Sequence, residues 1–240
     1  MKFVFGIPGE ENMELMDAIH DSAIRFVPTR HEGAAAFMAD VYGRMTGRAG
    51  VCMATLGPGA TNLVTGVADA YLDRAPLVAI TAQESLSQIH KESHQFIDIP
   101  ELLRPITKWN ARTGHHAGVS EIVRKAFKIA QTEKPGPTHI EIPADIASAE
   151  TADAPLSWER TRRPSPDRQS LQRAAELIDS AQNPMILAGN GVIRGNASEE
   201  LTEFAEEFRI PVAHTLMGKG AGSMVLSRER PDGRRPNLRL

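Results

Sequence analysis

The sequence predicts an α/β fold, a parallel sheet with helices on both faces followed by part of a second α/β domain, and three observations carry that prediction. Short β-rich runs alternate along the 240 residues with segments of helical period. One run, Pro76 to Thr81, is almost wholly apolar, as a strand buried on both faces is. From Glu150 to Arg168 the period dissolves into Ala, Pro, Asp and Arg, and a new strand and helix alternation starts beyond it.

Taken in order, Phe3-Val4-Phe5 reads as a strand, Gly6-Ile7-Pro8-Gly9 as a turn, and the stretch carrying Met13, Leu15, Met16 and Ile19 as a helix. Ile24 to Val27 is the second strand. The next helix runs from about Glu32, sets Phe37, Met38, Val41 and Met45 on one face, and stops at Gly47. Val51 to Thr55 is a strand and Leu56 to Gly59 a tight loop. Ala60 to Tyr71 reads as one helix with Leu63, Val67 and Ala70 inward. After the strand Pro76 to Thr81 comes a long polar stretch, Gln83 to Asp98, without a period. Such loops in compact domains are often functional. A helix at about Val119 to Gln131 and a strand at Thr138 to Ile142 complete a first domain, residues 1–148.

Residues 149–168 read as a linker. The partial second domain, residues 169–220, holds helix Leu171 to Ser180, strand Met185 to Ala188, loop Gly189 to Gly191, helix Glu199 to Phe208 and strand Ile210 to Val212. About fifty residues make a poor core alone. Residues 221–240 carry five arginines, two prolines and two glycines with no apolar period. They read as an irregular tail, disordered or out of frame, on a chain expected to be cut short.

Composition narrows the function classes. Hydrophobic residues at 41% and charged residues at 24% suit a soluble globular protein. A net charge of -3 argues against general nucleic-acid binding. No apolar run approaches the roughly 18 residues of a membrane span, and the N-terminal apolar stretch is too short for a secretory signal. The single cysteine, Cys52, lies in the apolar run Val51 to Ala54 without a disulfide partner, so it reads as a buried core thiol. A cytoplasmic location is expected.

Three loops, Gly6 to Glu11, Thr29 to Gly33 and Leu56 to Asn62, each follow a strand of one sheet, and ligands of open parallel sheets bind at the carboxyl ends of strands. Gly57-Pro58-Gly59 permits close backbone approach but lacks the Gly-Lys-Ser/Thr of a Walker loop. Neither it nor Gly189-Asn190-Gly191 fits the Gly-x-Gly-x-x-Gly fingerprint, which disfavours a nucleotide-binding dehydrogenase. Glu32 stands at a helix start, where the partial positive charge of the terminus favours a carboxylate. On position alone, a helix-stabilising surface role stands beside a chemical one, and His31 reads as structural. His90 and His94 flank Glu92 without a third ligand, so no metal site is expected.

The phrases Phe5-Gly6-Ile7-Pro8-Gly9-Glu10-Glu11-Asn12, Thr29-Arg30-His31-Glu32-Gly33-Ala34-Ala35-Ala36-Phe37-Met38-Ala39 and Ala54-Thr55-Leu56-Gly57-Pro58-Gly59-Ala60-Thr61-Asn62-Leu63, in that order and spacing, resemble the pyrimidine-binding domain of thiamine-diphosphate enzymes. Asp73-Arg74-Ala75-Pro76-Leu77-Val78, His94-Gln95 and Pro105-Ile106-Thr107-Lys108 resemble the acetolactate synthase branch, and the likeness extends over roughly residues 1–220. The resemblance implies a Rossmann-like middle domain after the pyrimidine domain. It implies that the Glu32 carboxyl hydrogen-bonds N1′ of the cofactor's aminopyrimidine, which promotes loss of the thiazolium C2 proton. Pro8, Gly9, Thr55, Pro58 and Asn62 would line the pyrimidine pocket, Gln95 would face the substrate, and Lys108 would stand near its entrance.

By the same resemblance the whole enzyme condenses two pyruvates to 2-acetolactate and CO₂, as a homo-oligomer whose active sites are shared between subunits. Mg²⁺ and the diphosphate would be held by a Gly-Asp-Gly domain that has no match here, so the chain alone is expected to be inactive. The helix that precedes strand one in the family is also missing. A structural flavin (FAD) occurs in some members and is left open. Two other readings stand beside this one: another carboligase or decarboxylase, acting on glyoxylate, sulfoacetaldehyde or an oxo-acid, and a dimerising module without turnover.

Overall fold

The computed structural model describes residues 1–157 and 164–222. Packing divides the chain into two units between residues 163 and 164.

The first unit runs β1 (Phe3–Gly6), α1 (Met13–His20), β2 (Arg25–Pro28), α2 (Glu32–Thr46), β3 (Gly50–Ala54), α3 (Gly57–Asn62), α4 (Val64–Leu72), β4 (Leu77–Gln83), α5 (Ile99–Leu103), β5 (Trp109–Arg112), α6 (Val119–Gln131), β6 (Pro137–Pro143) and α7 (Ala144–Ala147). Its six strands pair in the order β2-β1-β3-β4-β6-β5, and every pairing is parallel. The chain leaves β1 toward β2 on one side, while β3 lies on the other. This is a topological switch point, the place where open α/β sheets form ligand crevices.

Side-chain alternation along the central strands splits the core into two layers. Cys52, Ala54, Leu77 and Ala79 point to one face and pack with residues of α2 to α5, such as Ala36, Leu63, Val67 and Leu103. Val51, Met53, Val78 and Ile140 point to the other and meet Ile19 of α1 and Ala126 and Ala130 of α6. Helices therefore cover both faces, as the unbroken apolar strands require. Cys52 is fully buried, and burial pushes its thiol up to about 12.

The helix α2 starts at Glu32 and ends at Gly47 in the left-handed region (φ 65°). Its apolar row, however, faces outward: Phe37, Met38, Val41 and Met45 are exposed, Met45 at 81%. The buried side is made of Ala35, Ala36, Ala39, Asp40 and Gly43. Small side chains let this helix lie close against β3, so size rather than hydrophobicity chooses the inner face. Arg44 pairs with Asp40 and reaches Asp69 and Asp73 at 2.7 Å each, which ties α2 to the end of α4.

The single helix expected at Ala60 to Tyr71 is two, α3 and α4, and the Gly57-Pro58-Gly59 turn is the first turn of α3. Strand β5, on the sheet edge, carries no apolar run (Trp-Asn-Ala-Arg) and escapes a pattern reading.

His139 on β6 is fully buried with Nε2 2.8 Å from Thr81 Oγ1. Burial, reinforced by the Arg112 charge, lowers its pKa to about 3. The native ring therefore stays neutral while the unfolded ring titrates near its ordinary value, about 6.5. Below that value the unfolded state binds the extra proton, so stability falls as pH drops toward the native pKa. Urea unfolding between about pH 6 and pH 4 is expected to show a loss of about 1.4 kcal/mol per pH unit from this group. His139→Gln should flatten that slope; an unchanged slope would contradict the assignment.

In the second unit, α8 (Arg168–Ser180), β7 (Ile186–Ala188), α9 (Asn190–Gly195), α10 (Ser198–Phe208) and β8 (Val212–His214) follow in turn. β7 and β8 pair in parallel. The loop expected at Gly189 to Gly191 is instead the start of α9, because Gly189 takes an extended N-cap conformation. The last strand sits two residues later than expected: Arg209 closes α10 at φ 54° and Ile210 is buried beneath it. The irregular character expected for residues 223–240, and for residues 158–163 of the linker, lies outside the described residues. Among the described residues no helix is long and apolar enough to cross a membrane.

Candidate functional site

Three turns meet at the carboxyl ends of β1, β2 and β3, where the switch point opens the sheet. Each is shaped by its own local chemistry. After β1, the buried Asn12 side chain folds back over the turn: its Oδ1 accepts from Gly9 N at 2.9 Å and its Nδ2 donates to Ile7 O at 3.3 Å. Pro8 is thereby held at the surface of the turn.

After β3, Leu56 caps α3 in an extended conformation and Gly57 follows at φ 52°. A Cβ on Gly57 would stand 2.6 Å from Gln95 O, so main chain packs directly on main chain there. A Cβ on Gly59 would stand 2.5 Å from Thr55 Oγ1, and one on Gly9 would overlap the Thr55 methyl. Thr55 is thus clasped between the first and third turns.

After β2, His31 caps α2 by accepting from Gly33 N through Nδ1 at 3.0 Å. That is the structural role expected of it, and it leaves Glu32 as the first residue of the helix. Asn62 Nδ2 donates to Glu32 Oε2 at 2.9 Å. The other oxygen, Oε1, lies 3.4 Å from the place a Gly59 Cβ would take, and among the described residues it accepts no hydrogen bond. Glu32 is half-buried, not turned to bulk solvent.

The arrangement has a definite chemical capacity. One carboxylate oxygen is tied down and the other faces bare glycine backbone, beside a helix N-terminus that favours negative charge. With one proton shared between this free oxygen and the ring nitrogen of a flat heteroaromatic ligand, the group would make a hydrogen bond to that ring. The residues present therefore fit an aminopyrimidine.

The structure brings Glu32, Gly9, Thr55 and Asn62 together, with Pro8 and Pro58 at the outer surface of the two turns. Gln95 joins them through its main chain, in the left-handed region at φ 54°, with its side chain exposed. Lys108 is elsewhere. Its Nζ donates to Ile129 O at 2.6 Å and Thr132 O at 2.7 Å, capping the end of α6 at the amino ends of β5 and β6. Glu32 follows the carboxyl end of β2, at the other end of the sheet. Asn12 was not singled out by pattern, although an Asn three residues after a glycine at a turn is a legible hydrogen-bonding signal. Among the described residues no group of three His, Cys, Asp or Glu is placed to hold a metal ion.

Residues 1–102 match the thiamine pyrophosphate enzyme N-terminal TPP binding domain, and residues 171–224 match the central domain of the same enzymes. The chain is 43% identical over 228 residues to a probable acetolactate synthase large subunit of Methanocaldococcus jannaschii, covering 92% of this chain and 38% of that protein. It is 40% identical over 223 residues to acetolactate synthase isozyme 1 large subunit of Escherichia coli K12, covering 92% of this chain and 39% of that one. To an acetolactate synthase of Arthrospira platensis it is 39% identical over 232 residues, covering 92% and 40%. The chain thus spans about two-fifths of the length of these relatives. Two domains of one family, matched in order on the two successive units, together with this identity across the chain, show that it belongs to the thiamine pyrophosphate enzymes.

Proposed function

We propose that this chain supplies the pyrimidine side of a thiamine-diphosphate site in a cytoplasmic enzyme that condenses two pyruvates to 2-acetolactate and CO₂. The observation that carries the proposal is the Glu32 carboxyl, held by Asn62 on one oxygen and open to the glycine turn on the other. When bound, the cofactor supplies an acidic thiazolium carbon and an electron sink for decarboxylation. Glu32 holds a proton between its carboxyl and N1′ of the aminopyrimidine. Asn62 fixes the rotamer that makes this possible, and Pro8, Gly9, Thr55 and Pro58 shape the walls. Gln95 borders the substrate side. Lys108 takes no part in this cluster, because its ammonium is engaged at the end of α6.

Mg²⁺ and the diphosphate would be bound by a further domain of a partner subunit in a homo-oligomer. The exposed apolar row of α2, Phe37, Met38, Val41 and Met45, supports a subunit covering this side. The names of the relatives support pyruvate as substrate.

The test is to purify the protein from its source, at the length it has there, and supply thiamine diphosphate, Mg²⁺ and pyruvate. The expected result is cofactor-dependent 2-acetolactate. Product from glyoxylate or sulfoacetaldehyde alone would move the reading to another carboligase. Dimers that never turn over any of these would leave only an interaction module.

A further inference from the structure

Residues 84–98 form neither helix nor strand, yet the end of this stretch is gripped from below by buried polar side chains that the proposed chemistry does not use. Gln83 closes β4 and Glu141 lies in β6, and both are fully buried. Gln83 Nε2 donates to Ile97 O at 3.0 Å and to Glu141 Oε1 at 3.1 Å, while its Oε1 accepts from Glu84 N at 3.0 Å. Arg112, the last residue of β5, donates through Nε to Glu141 Oε2 and stands 3.7 Å from the Asp98 carboxylate. The set therefore holds Ile97 by a hydrogen bond and places a positive charge near the exposed carboxylate of Asp98.

A sheet does not need such a set for its stability. Replacing a buried ion pair with apolar side chains is often neutral or stabilising, because desolvation of the charges cancels much of their attraction. What the set does achieve is geometric. Two residues before Ile97, the main chain of Gln95 turns through the left-handed region and lies against Gly57. Contact thus runs from Glu141 through Gln83 and Ile97 to Gln95, and from Gln95 to the turn that faces Glu32.

We infer that Gln83 and Glu141 are positioning residues that seat the Gln95 main chain on Gly57 and so hold the Leu56 to Gly59 turn in place. The inference rests on reading that turn as the pyrimidine wall, but its test does not require the cofactor. Amide hydrogen exchange of the full chain reads it directly. Gln83→Met and Glu141→Ala should speed exchange at residues 95–98 and at Gly57, Gly59 and Ala60 by roughly ten-fold, the scale of one or two lost hydrogen bonds. Amides of β1, β2 and α6 should keep their rates. Glu141→Gln retains an acceptor for Gln83 and should rescue most of the protection.

Two further variants guard against a mere loss of folding. Asp98→Asn alters only an exposed side chain and can keep its cap on Glu101 N, so it should fold and speed the same segments by a smaller factor. Thr138→Val removes a buried hydroxyl from β6 that bonds Ala126 O, and should leave residues 57–60 and 95–98 no faster than the rest. Uniform acceleration in the Gln83 and Glu141 variants would overturn the inference. So would loosening of residues 95–98 with residues 57–60 unmoved. If Glu141→Ala does not fold, Gln83→Met and Asp98→Asn decide. Failure of thiamine diphosphate to bind would instead strike the proposed function and leave the exchange result standing.

Discussion

On the proposed function, Glu32→Gln is expected to lower the rate of acetolactate formation by about 10²- to 10⁴-fold, the range for loss of a positioned proton-transfer group. The substitution is nearly isosteric, and the amide oxygen can still accept from Asn62 Nδ2, which lies 2.9 Å from the carboxylate. What it removes is the carboxyl's ability to hold a proton against a ring nitrogen. Stability should fall by no more than about 2 kcal/mol, the upper range for a partly buried charge at a helix N-terminus. Steady-state kinetics beside a thermal melt separates the two effects. A variant with ordinary turnover would remove Glu32 from the chemistry altogether.

Gly57→Ala is expected to be the most damaging small substitution in the site. A non-glycine residue at φ 52° is strained, a cost of order 1–3 kcal/mol. The added methyl would also stand 2.6 Å from Gln95 O and 2.7 Å from Gln95 Cβ, so the loop above must move. For a unit of this size that corresponds to a fall in Tm of roughly 2–12 °C. Gly47→Ala provides the comparison. It has a similar φ, 65°, but nothing lies within 4 Å of its added Cβ, so it carries strain without a clash. Gly57→Ala should therefore melt lower than Gly47→Ala and bind the cofactor more weakly. Equal melting temperatures and equal cofactor affinity would show that the Gln95 contact has no weight.

Much of the first unit was legible because its signals are local. The start of α2 at Glu32, its stop at Gly47, and the strands around Val51 and Leu77 follow from period, capping and turn chemistry within a few residues. The three motif turns could be placed on one edge because parallel strands put their carboxyl ends together. Edge strand β5 was not legible, since its neighbour β6 rather than its own sequence makes it a strand. The second unit shows the same limit, with β8 displaced by two residues where the left-handed Arg209 delays it.

By itself, the sequence determined the order of elements, the α/β class and the types of residue available for chemistry, all of which arise from interactions between near neighbours in the chain. Tertiary structure alone decided which of those residues meet. Glu32 finds Asn62 thirty positions away and Gln83 finds Glu141 fifty-eight away, while Lys108 is drawn to the far end of the sheet and the large side chains of α2 are turned outward. The physical reason is that period and capping act over one or two turns of chain, whereas close packing selects partners by shape and by the hydrogen bonds that burial makes obligatory.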